Sequence, residues 1–237
     1  MTKLSVNINK FATLRNARGG NNPNLVKVAR DCQHFGAQGI TIHPRPDERH
    51  ITTQDVYNLK PVITTEYNIE GFPDDRYVKL VTDTKPIQAT LVPDGPDVLT
   101  SNAGWDTIGE KTYLQEVIGR LKETGARVSI FVDANPELAS AAKDTGADRV
   151  ELYTEAYAIG YKSNREEAIK PYVETAQAAV DAGLEINAGH DLDLENLRFF
   201  HQNIPSLDEV SIGHALVCDA LYLGLENTIR LYLKELR

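Results

Sequence analysis

Residues 39–50 read GITIHPRPDERH, so two histidines and two arginines directly follow a short apolar run. Imidazoles exchange protons near neutral pH, and guanidinium groups bind phosphate through paired hydrogen bonds. Pro44 and Pro46 prevent a helix from starting at once, so the charged side chains extend from a loop. The segment therefore suits proton transfer beside a bound anion, with a solvated surface loop as the alternative.

Histidines recur at equivalent places along the chain. Four of the six follow apolar runs, whereas the other two, His34 and His201, fall within helical patterns. A lone histidine at the end of a strand is more often a structural residue. Four at equivalent positions instead favour a shared site with acid and base chemistry. The four are His43, His50, His190 and His214.

Carboxylates that could work with these histidines follow other apolar runs. Glu66 and Glu70 are one strand length apart, so we expect only Glu70 to face the site. Glu151 points inward if the strand register is right, and a buried carboxylate needs a partner or a task. Asp133 either lines the site or caps the helix that begins near Pro136.

Two stretches could bind anions. In VSIGHAL, residues 210–216, a strand passes through Gly213 directly into a helix, whose first N–H groups and positive dipole end suit phosphate. A simple tight turn is the alternative. In TLRNARGG, Arg18 stands beside two glycines and can extend over a ligand.

The elements that would position these residues alternate along the chain. Longer segments with apolar residues at helical spacing separate eight apolar or β-branched runs. Such stripes include Leu25, Val28, Ala29 and Cys32; Leu114, Val117, Ile118 and Leu121; and Leu221, Leu225, Ile229 and Leu233. Gly36, Gly125, Gly146 and Gly183 each end a helical pattern just before a strand. The predicted strands span residues 4–8, 39–43, 62–67, 87–92, 127–133, 149–152, 185–188 and 209–212.

Eight such strands in 237 residues predict a single-domain (β/α)₈ TIM barrel over residues 1–237. A doubly wound open sheet is the alternative, but its G-x-G-x-x-G fingerprint after the first strand is missing. In a barrel the carboxyl ends of the strands form the active site, which is where the polar residues fall. Residues 93–105 form a long, turn-rich connection that predicts either a mobile lid or an ordinary surface loop.

Composition excludes several classes of protein. A formal net charge of −9 argues against nonspecific nucleic-acid binding, and no apolar run approaches the roughly 20 residues of a membrane helix. The N-terminus lacks a signal-peptide pattern. Cys32 and Cys218 are far apart in helical stretches, which favours two free buried thiols over a disulfide. We therefore expect a cytoplasmic protein.

Taken together, the motifs resemble the pyridoxine 5′-phosphate synthase family of vitamin B6 biosynthesis. They are VNI-x-x-x-ATLRNARG, GIT-x-H-x-R-x-D-x-RHI, the LVPD loop start, VELYT, NAGH and IGHA, in this order over nearly the whole chain. The resemblance implies a (β/α)₈ barrel assembled as a homo-octamer. It also implies condensation of two phosphorylated substrates, 1-deoxy-D-xylulose 5-phosphate and 3-amino-2-oxopropyl phosphate, without a metal ion or cofactor. The products are pyridoxine 5′-phosphate, inorganic phosphate and water.

The same resemblance assigns roles to individual residues. It implies acid/base roles for three of them and charge stabilisation by Glu151 inside the barrel. Those three are His43, Glu70 and His190. Contacts to the deoxyxylulose phosphate are implied for Arg45, His50 and Thr100. Contacts to the aminoketone phosphate are implied for Asn7, Arg18, Gly213 and His214.

Three further candidate substrate-binding residues depart from the family pattern. Asn9 and Lys10 stand where an Asp-His pair is common, and Asp191 stands where Gly is usual. Lys10 can still bind an anion. A carboxylate at position 191 is unfavourable beside a phosphate, so we expect the side chain of Asp191 to turn away.

Three other functions remain open from the residues alone. A metal enzyme could use His43, Glu70 and His190 as two-His-one-carboxylate ligands. A Schiff-base aldolase needs a desolvated lysine at the end of a strand, and Lys10 is the candidate. A non-catalytic barrel could bind both phosphates without releasing inorganic phosphate.

Overall fold

Parallel strands form from the short apolar runs in a computed structural model that describes residues 1–93 and 103–237. Within these ranges eight strands alternate with helices. The strands are β1 (Lys3–Asn7), β2 (Gly39–Ile42), β3 (Glu66–Gly71), β4 (Gln88–Leu91), β5 (Arg127–Val132), β6 (Arg149–Leu152), β7 (Glu185–Gly189) and β8 (Leu207–Ile212).

The helices lie between the strands in the order that the apolar stripes predict. They are α1 (Asn9–Asn16), α2 (Leu25–His34), α3 (Thr53–Leu59), α4 (Asp75–Thr84), α5 (Lys111–Lys122), α6 (Pro136–Ala141), α7 (Glu155–Asp181), α8 (Leu197–Asn203), α9 (His214–Leu223) and α10 (Leu225–Glu235). A short 3₁₀ turn follows α6, and α7 is broken at Asn164, whose backbone is extended. No helix in the described ranges is long and apolar enough to cross a membrane.

Each strand pairs in parallel with its neighbours in sequence, and β8 pairs with β1, which closes the barrel. This closure confirms the (β/α)₈ TIM barrel and rejects the open doubly wound sheet. All four predicted glycine stops have positive φ, from 75° at Gly183 to 111° at Gly36. Glycine adopts this conformation without steric cost, and each one ends a helical segment just before the next strand.

The prediction for the third strand was wrong. The strand begins at Glu66 rather than Val62, because Val62 and Ile63 donate backbone hydrogen bonds to Leu59 O and continue the turn after α3. The β-branched run at residues 62–65 is therefore a connection. Gln33 Oε1 on α2 accepts from the N–H groups of Thr64 and Thr65, so tertiary contacts override strand propensity here. Consequently Glu66 lies at the amino end of β3 and Glu70 near its carboxyl end.

The stripe predicted for the last helix was also wrong in part. Gly224 adopts φ 77° and ψ 146°, which divides the segment into α9 and α10. Leu221 is 71% exposed, whereas Ile229 is buried on α10. The stripes of α2 and α5 are confirmed, since all their predicted residues are buried. Both cysteines are free, but Cys218 is exposed and not buried as predicted.

Polar side chains fill much of the barrel interior. Arg149 on β6 donates to Gln88 on β4 and to Glu209 on β8, each at 3.0 Å, and such bonds between non-adjacent strands must cross the interior. On β3, Asn68 donates to Thr41 on β2 and accepts from Thr90 on β4. Apolar residues that alternate with these pack outward against the helices. The interior therefore differs from the branched aliphatic layers that usually fill such barrels.

Candidate active site

The carboxyl ends of β1, β3 and β8 are joined through one side chain. Asn7, at the end of β1, lies with its Nδ2 3.4 Å from Glu70 Oε2 on β3. A Cβ at Gly213 would lie only 3.0 Å from Asn7 Cβ, so glycine allows β8 to approach β1 this closely. The predicted choice of Glu70 over Glu66 agrees with this geometry, which brings Asn7, Glu70 and Gly213 together.

His43 follows β2 and is buried within the same end of the barrel. Its backbone N–H donates to Asn9 Oδ1 at 2.9 Å, which ties β2 to the start of α1. Burial, reinforced by the charge of Arg45 and by the neighbouring His50, holds the pKa of His43 well below its usual value. His43 is therefore a neutral imidazole near pH 7, the form that accepts a proton.

The loop after β2 carries Arg45 and His50, which are both buried. The rings of His43 and His50 meet edge to face, with centroids 6.3 Å apart. His50 Nδ1 accepts from Ile51 N at 2.9 Å, so in the neutral ring Nε2 carries the proton. Burial and the charges of Arg45 and Lys10 lower the pKa of His50 to about 4. His50 can thus donate a hydrogen bond to an anion without being charged.

A buried ion pair holds this loop in place, and the sequence reasoning missed it. Arg15 on α1 binds Asp55 on α3 through two hydrogen bonds of 2.6 and 2.8 Å. Arg15 also donates to His50 O at 3.2 Å, and Asn16 donates to the same oxygen at 2.8 Å. The signal was Arg15, the first arginine of TLRNARGG, which had no assigned partner because Asp55 lies 40 residues away.

Glu151 on β6 lies inside the barrel, as predicted from the strand register. Its Oε2 accepts from Asn187 Nδ2 on β7 at 2.9 Å. Burial raises the pKa of Glu151 to about 7, against the opposing effects of Arg149 and His190. A carboxyl group with this pKa can be protonated or ionised at neutral pH. Its charge can therefore change when a bound molecule at the barrel mouth gains or loses charge.

The turn after β7 presents His190 at the barrel mouth. Its Nδ1 lies 2.7 Å from Asp191 Oδ2, and its ring meets the edge of the Tyr153 ring at a centroid distance of 5.4 Å. The carboxylate of Asp191 is therefore paired with an imidazole instead of facing the cavity unpartnered. A side chain at Gly189 would collide with Ser211 O, so only glycine fits beside Glu151 and β8 at this point.

The helix after β8 begins directly after Gly213, as the IGHA motif predicted. His214 is the first residue of α9, and its Nε2 lies 3.7 Å from Cys218 Sγ one turn later. The first N–H groups of a helix with this entry can bind an anion near Asn7. Arg18, in the connection after α1, is exposed.

Other predicted residues have different surroundings. Lys10 is exposed on the first turn of α1, so the desolvation that a Schiff-base lysine needs is absent there. Asp133 accepts from Gly104 N at 3.1 Å, and Asn135 caps α6 instead of Asp133. Thr100 and most of the predicted lid at residues 93–105 lie outside the described residues, although Trp105 at its end is buried.

An apolar wall beside the polar residues was also missed. Val92, Phe131 and Tyr153 form a buried cluster separate from the main core, at the carboxyl ends of β4, β5 and β6. Tyr153 connects this wall to His190. Among the described residues no three His, Cys, Asp or Glu side chains are grouped closely enough to hold a metal ion.

Comparison with known proteins gives two kinds of similarity. The model of the family described as pyridoxal phosphate biosynthesis protein PdxJ matches residues 4–237. A pyridoxine 5′-phosphate synthase of Cytophaga hutchinsonii is 64% identical over 237 residues, which cover 100% of both chains. Another, of Flavobacterium johnsoniae, is 61% identical over 237 residues with the same coverage.

Solved structures with low identity share the fold. The 3-hexulose-6-phosphate synthase of Salmonella typhimurium matches with a TM-score of 0.65 and 14% identity, over 99% of this chain and 98% of that chain. The phosphoribosylanthranilate isomerase of Thermotoga maritima matches with a TM-score of 0.61 and 13% identity, over 100% and 98% of the respective chains. At such identities the similarity shows the barrel fold alone.

Proposed function

Because the chain belongs to the pyridoxal phosphate biosynthesis protein PdxJ family, we propose that it is a pyridoxine 5′-phosphate synthase. The proposed reaction condenses 1-deoxy-D-xylulose 5-phosphate with 3-amino-2-oxopropyl phosphate and forms pyridoxine 5′-phosphate, inorganic phosphate and water. One observation carries this proposal beyond the family name. Asn7 contacts both Glu70 and Gly213. It therefore links a carboxylate that can transfer protons with the start of a helix that can bind phosphate.

Two anion sites support a pair of phosphorylated substrates. Arg45 and His50, with Thr100, are proposed to bind the deoxyxylulose phosphate. Arg45 supplies a buried positive charge, and the neutral ring of His50 supplies an N–H donor. The charge of Lys10, which already acts on His50, would add to the attraction. These local groups oppose the repulsion expected from a chain with a net charge of −9.

The second anion site is proposed at the start of α9. Gly213 and His214 would present the first N–H groups of this helix to the aminoketone phosphate. Asn7 lies against Gly213 and would contact the same substrate, with Arg18 covering it from the loop after α1. The two phosphates would then lie beyond β2 and β8, which are separated by β1 in the closed barrel, with the reacting amine and ketone between them.

The reaction needs side chains that accept protons and side chains that donate them. Formation of the ring requires proton removal from carbon and proton delivery to leaving oxygens, which positioned acids and bases accelerate. We assign these transfers to His43, Glu70 and His190. His43 is neutral and accepts a proton first, because burial keeps its pKa low. Glu151 would stabilise positive intermediates from inside the barrel, since its carboxyl group ionises near neutral pH.

Two of the three residues that depart from the family pattern, Asn9 and Asp191, receive positioning roles in this proposal. Asn9 binds the amide of His43, and Asp191 binds the ring of His190. Each could also contact substrate, but each already places one of the proposed acid/base residues. We also infer, from the family resemblance, a homo-octamer in the cytoplasm.

The decisive experiment mixes the purified chain with both substrates and measures pyridoxine 5′-phosphate and inorganic phosphate. Both products should form in equal amounts, and neither should form when one substrate is omitted. Binding of both substrates without phosphate release would instead show a non-catalytic barrel. Loss of activity with chelator that is restored by a divalent ion would favour the metal enzyme. Borohydride trapping of substrate on Lys10 would favour the aldolase.

A further inference from the structure

The turn that carries His190 is held in an unusual backbone conformation. His190 has φ 60°, in the left-handed region that non-glycine residues rarely adopt. Its amide donates to Ser211 O on β8 at 3.3 Å. Such a conformation persists when surrounding contacts fix it, and it frequently occurs at functional sites. The fold therefore fixes the direction in which the side chain of His190 leaves the backbone.

The same contacts fix the backbone of Asp191. Its amide donates to Thr154 Oγ1 at 3.1 Å and to Gly189 O at 2.9 Å, and its carbonyl accepts from Asn196 Nδ2 at 3.1 Å. Thr154, fully buried after β6, also donates through Oγ1 to Gly189 O. The hydroxyl of Thr154 thus bonds to both Gly189 and Asp191. These contacts hold the backbone of Asp191 in place, which restricts where its carboxylate can lie.

The carboxylate of Asp191 reaches back to the ring of the preceding residue. Asp191 Oδ2 and His190 Nδ1 are 2.7 Å apart, within the range of a charge-assisted hydrogen bond, and both side chains are about one-third exposed. The ring of His190 also meets the edge of Tyr153, and Glu151 interacts with it from inside the barrel. Asp191 lies within hydrogen-bond distance of Nδ1.

We propose that Asp191 is a positioning residue that holds His190 as the Nδ1–H tautomer and leaves Nε2 directed at the substrate. The proposal rests on the function assigned above, in which His190 transfers protons. When Nε2 takes a proton from the substrate, the ring becomes an imidazolium whose charge the carboxylate of Asp191 balances. The proton that leaves the substrate is carried by the ring, and the carboxylate of Asp191 orients that ring without taking the proton, as in other histidine–carboxylate pairs.

This role also accounts for a carboxylate beside a proposed phosphate site. A carboxylate repels a phosphate, and the pair of Asp191 with a neutral His190 ring keeps one negative charge while substrate binds. The hydrogen bond to His190 holds that charge on the ring nitrogen, and the pair becomes neutral once the ring takes a proton.

The experiment compares the full chain with Asp191→Asn and with the control Asp181→Asn. The control removes the same charge at the far end of α7, where Asp181 accepts a hydrogen bond from Gln177. The ¹⁵N spectrum of labelled histidines in the ligand-free protein reports the tautomer, and a His190→Gln spectrum identifies the signal. The wild type and the control should show Nδ1–H, and Asp191→Asn should show a mixture or Nε2–H.

Activity provides the second readout. Asp191→Asn should lower kcat at least tenfold, up to the roughly 10²–10⁴ that a positioned acid or base contributes, while KM for the deoxyxylulose phosphate stays near the wild-type value. The acid limb of its pH profile should move to lower pH, because the protonated ring has lost its anionic partner. The control should match the wild type in both measurements.

Two results would overturn the proposal. One is Nε2–H in the wild type, and the other is an unchanged tautomer with unchanged kcat in Asp191→Asn. Failure of the proposed function is distinguishable, because then the wild type forms no product from the two substrates. The ligand-free spectrum would still show whether Asp191 sets the tautomer of His190.

Discussion

Asn9 Oδ1 accepts a 2.9 Å hydrogen bond from the backbone N–H of His43, 34 residues away in the sequence. The bond joins the residue that opens α1 to the residue that directly follows β2. Since the N–H of His43 has left the strand ladder at this point, Asn9 supplies the partner that it would otherwise lack. The position of a proposed catalytic histidine therefore depends on a side chain from a different βα unit.

Replacement of Asn9 tests this dependence. Asn9→Ala should lower the free energy of unfolding by about 1–3 kcal/mol, the usual cost of an unsatisfied donor, and should lower kcat. Asn9→Asp keeps an acceptor oxygen and should stay closer to the wild type in both. Denaturant unfolding and steady-state kinetics check the pair. Equal losses in the two variants would show that the acceptor does not position His43.

His43 and Arg45 should separate turnover from binding. His43→Gln should keep the fold and lower kcat by roughly 10²–10⁴, because it removes a proton-transfer group. Arg45→Ala should mainly raise KM for the deoxyxylulose phosphate, because it removes a charge-assisted contact. Melting temperatures of both variants serve as the control for folding. Full turnover in a folded His43→Gln protein would reject the assignment.

Glu151 should make stability depend on pH. Burial raises its pKa to about 7 from a usual value of 4.5, so between these values the folded chain holds a proton that the unfolded chain releases. This group therefore lowers stability as pH rises through that window. Glu151→Gln cannot ionise, so its stability relative to the wild type should improve from pH 5 to pH 8. Denaturant unfolding across this range measures the difference, with the exposed Glu174→Gln as control. A difference that does not vary with pH would contradict the prediction.

Arg149 should be essential for stability. It pairs with Glu209, which is 1% exposed, and with Glu185 at the amino end of the barrel. Arg149→Met leaves the carboxylate of Glu209 buried without this partner, which should cost about 3–5 kcal/mol. The matched control Arg165→Met removes an exposed arginine and should change unfolding by less than about 1 kcal/mol. Similar unfolding midpoints for the two variants would count against this role of Arg149.

The inferred homo-octamer predicts a large assembly. Light scattering after gel filtration should give a mass near eight times the 26.3 kDa chain. Dilution at constant salt is the control, since a specific assembly dissociates over a defined concentration range. A monomer at micromolar concentration would reject the octamer and leave the proposed reaction untouched.

The sequence by itself determined the order of elements and the edge at which polar residues would gather. Apolar periodicity and glycine stops such as Gly183 depend on neighbours within a few residues, so they can be read along the chain. This local reasoning failed where tertiary contacts compete with propensity, as at residues 62–65, which form a connection so that β3 begins at Glu66.

Only the tertiary structure decided which side chains act together. The bonds from Asn9 to His43, from Arg15 to Asp55 and from Asn187 to Glu151 join residues 34 to 40 positions apart. Their geometry depends on how elements of different βα units pack together in the closed barrel, which a pattern spanning a few residues does not specify. Burial follows from the same closure, and it is burial that lowers the pKa of His43 and raises that of Glu151.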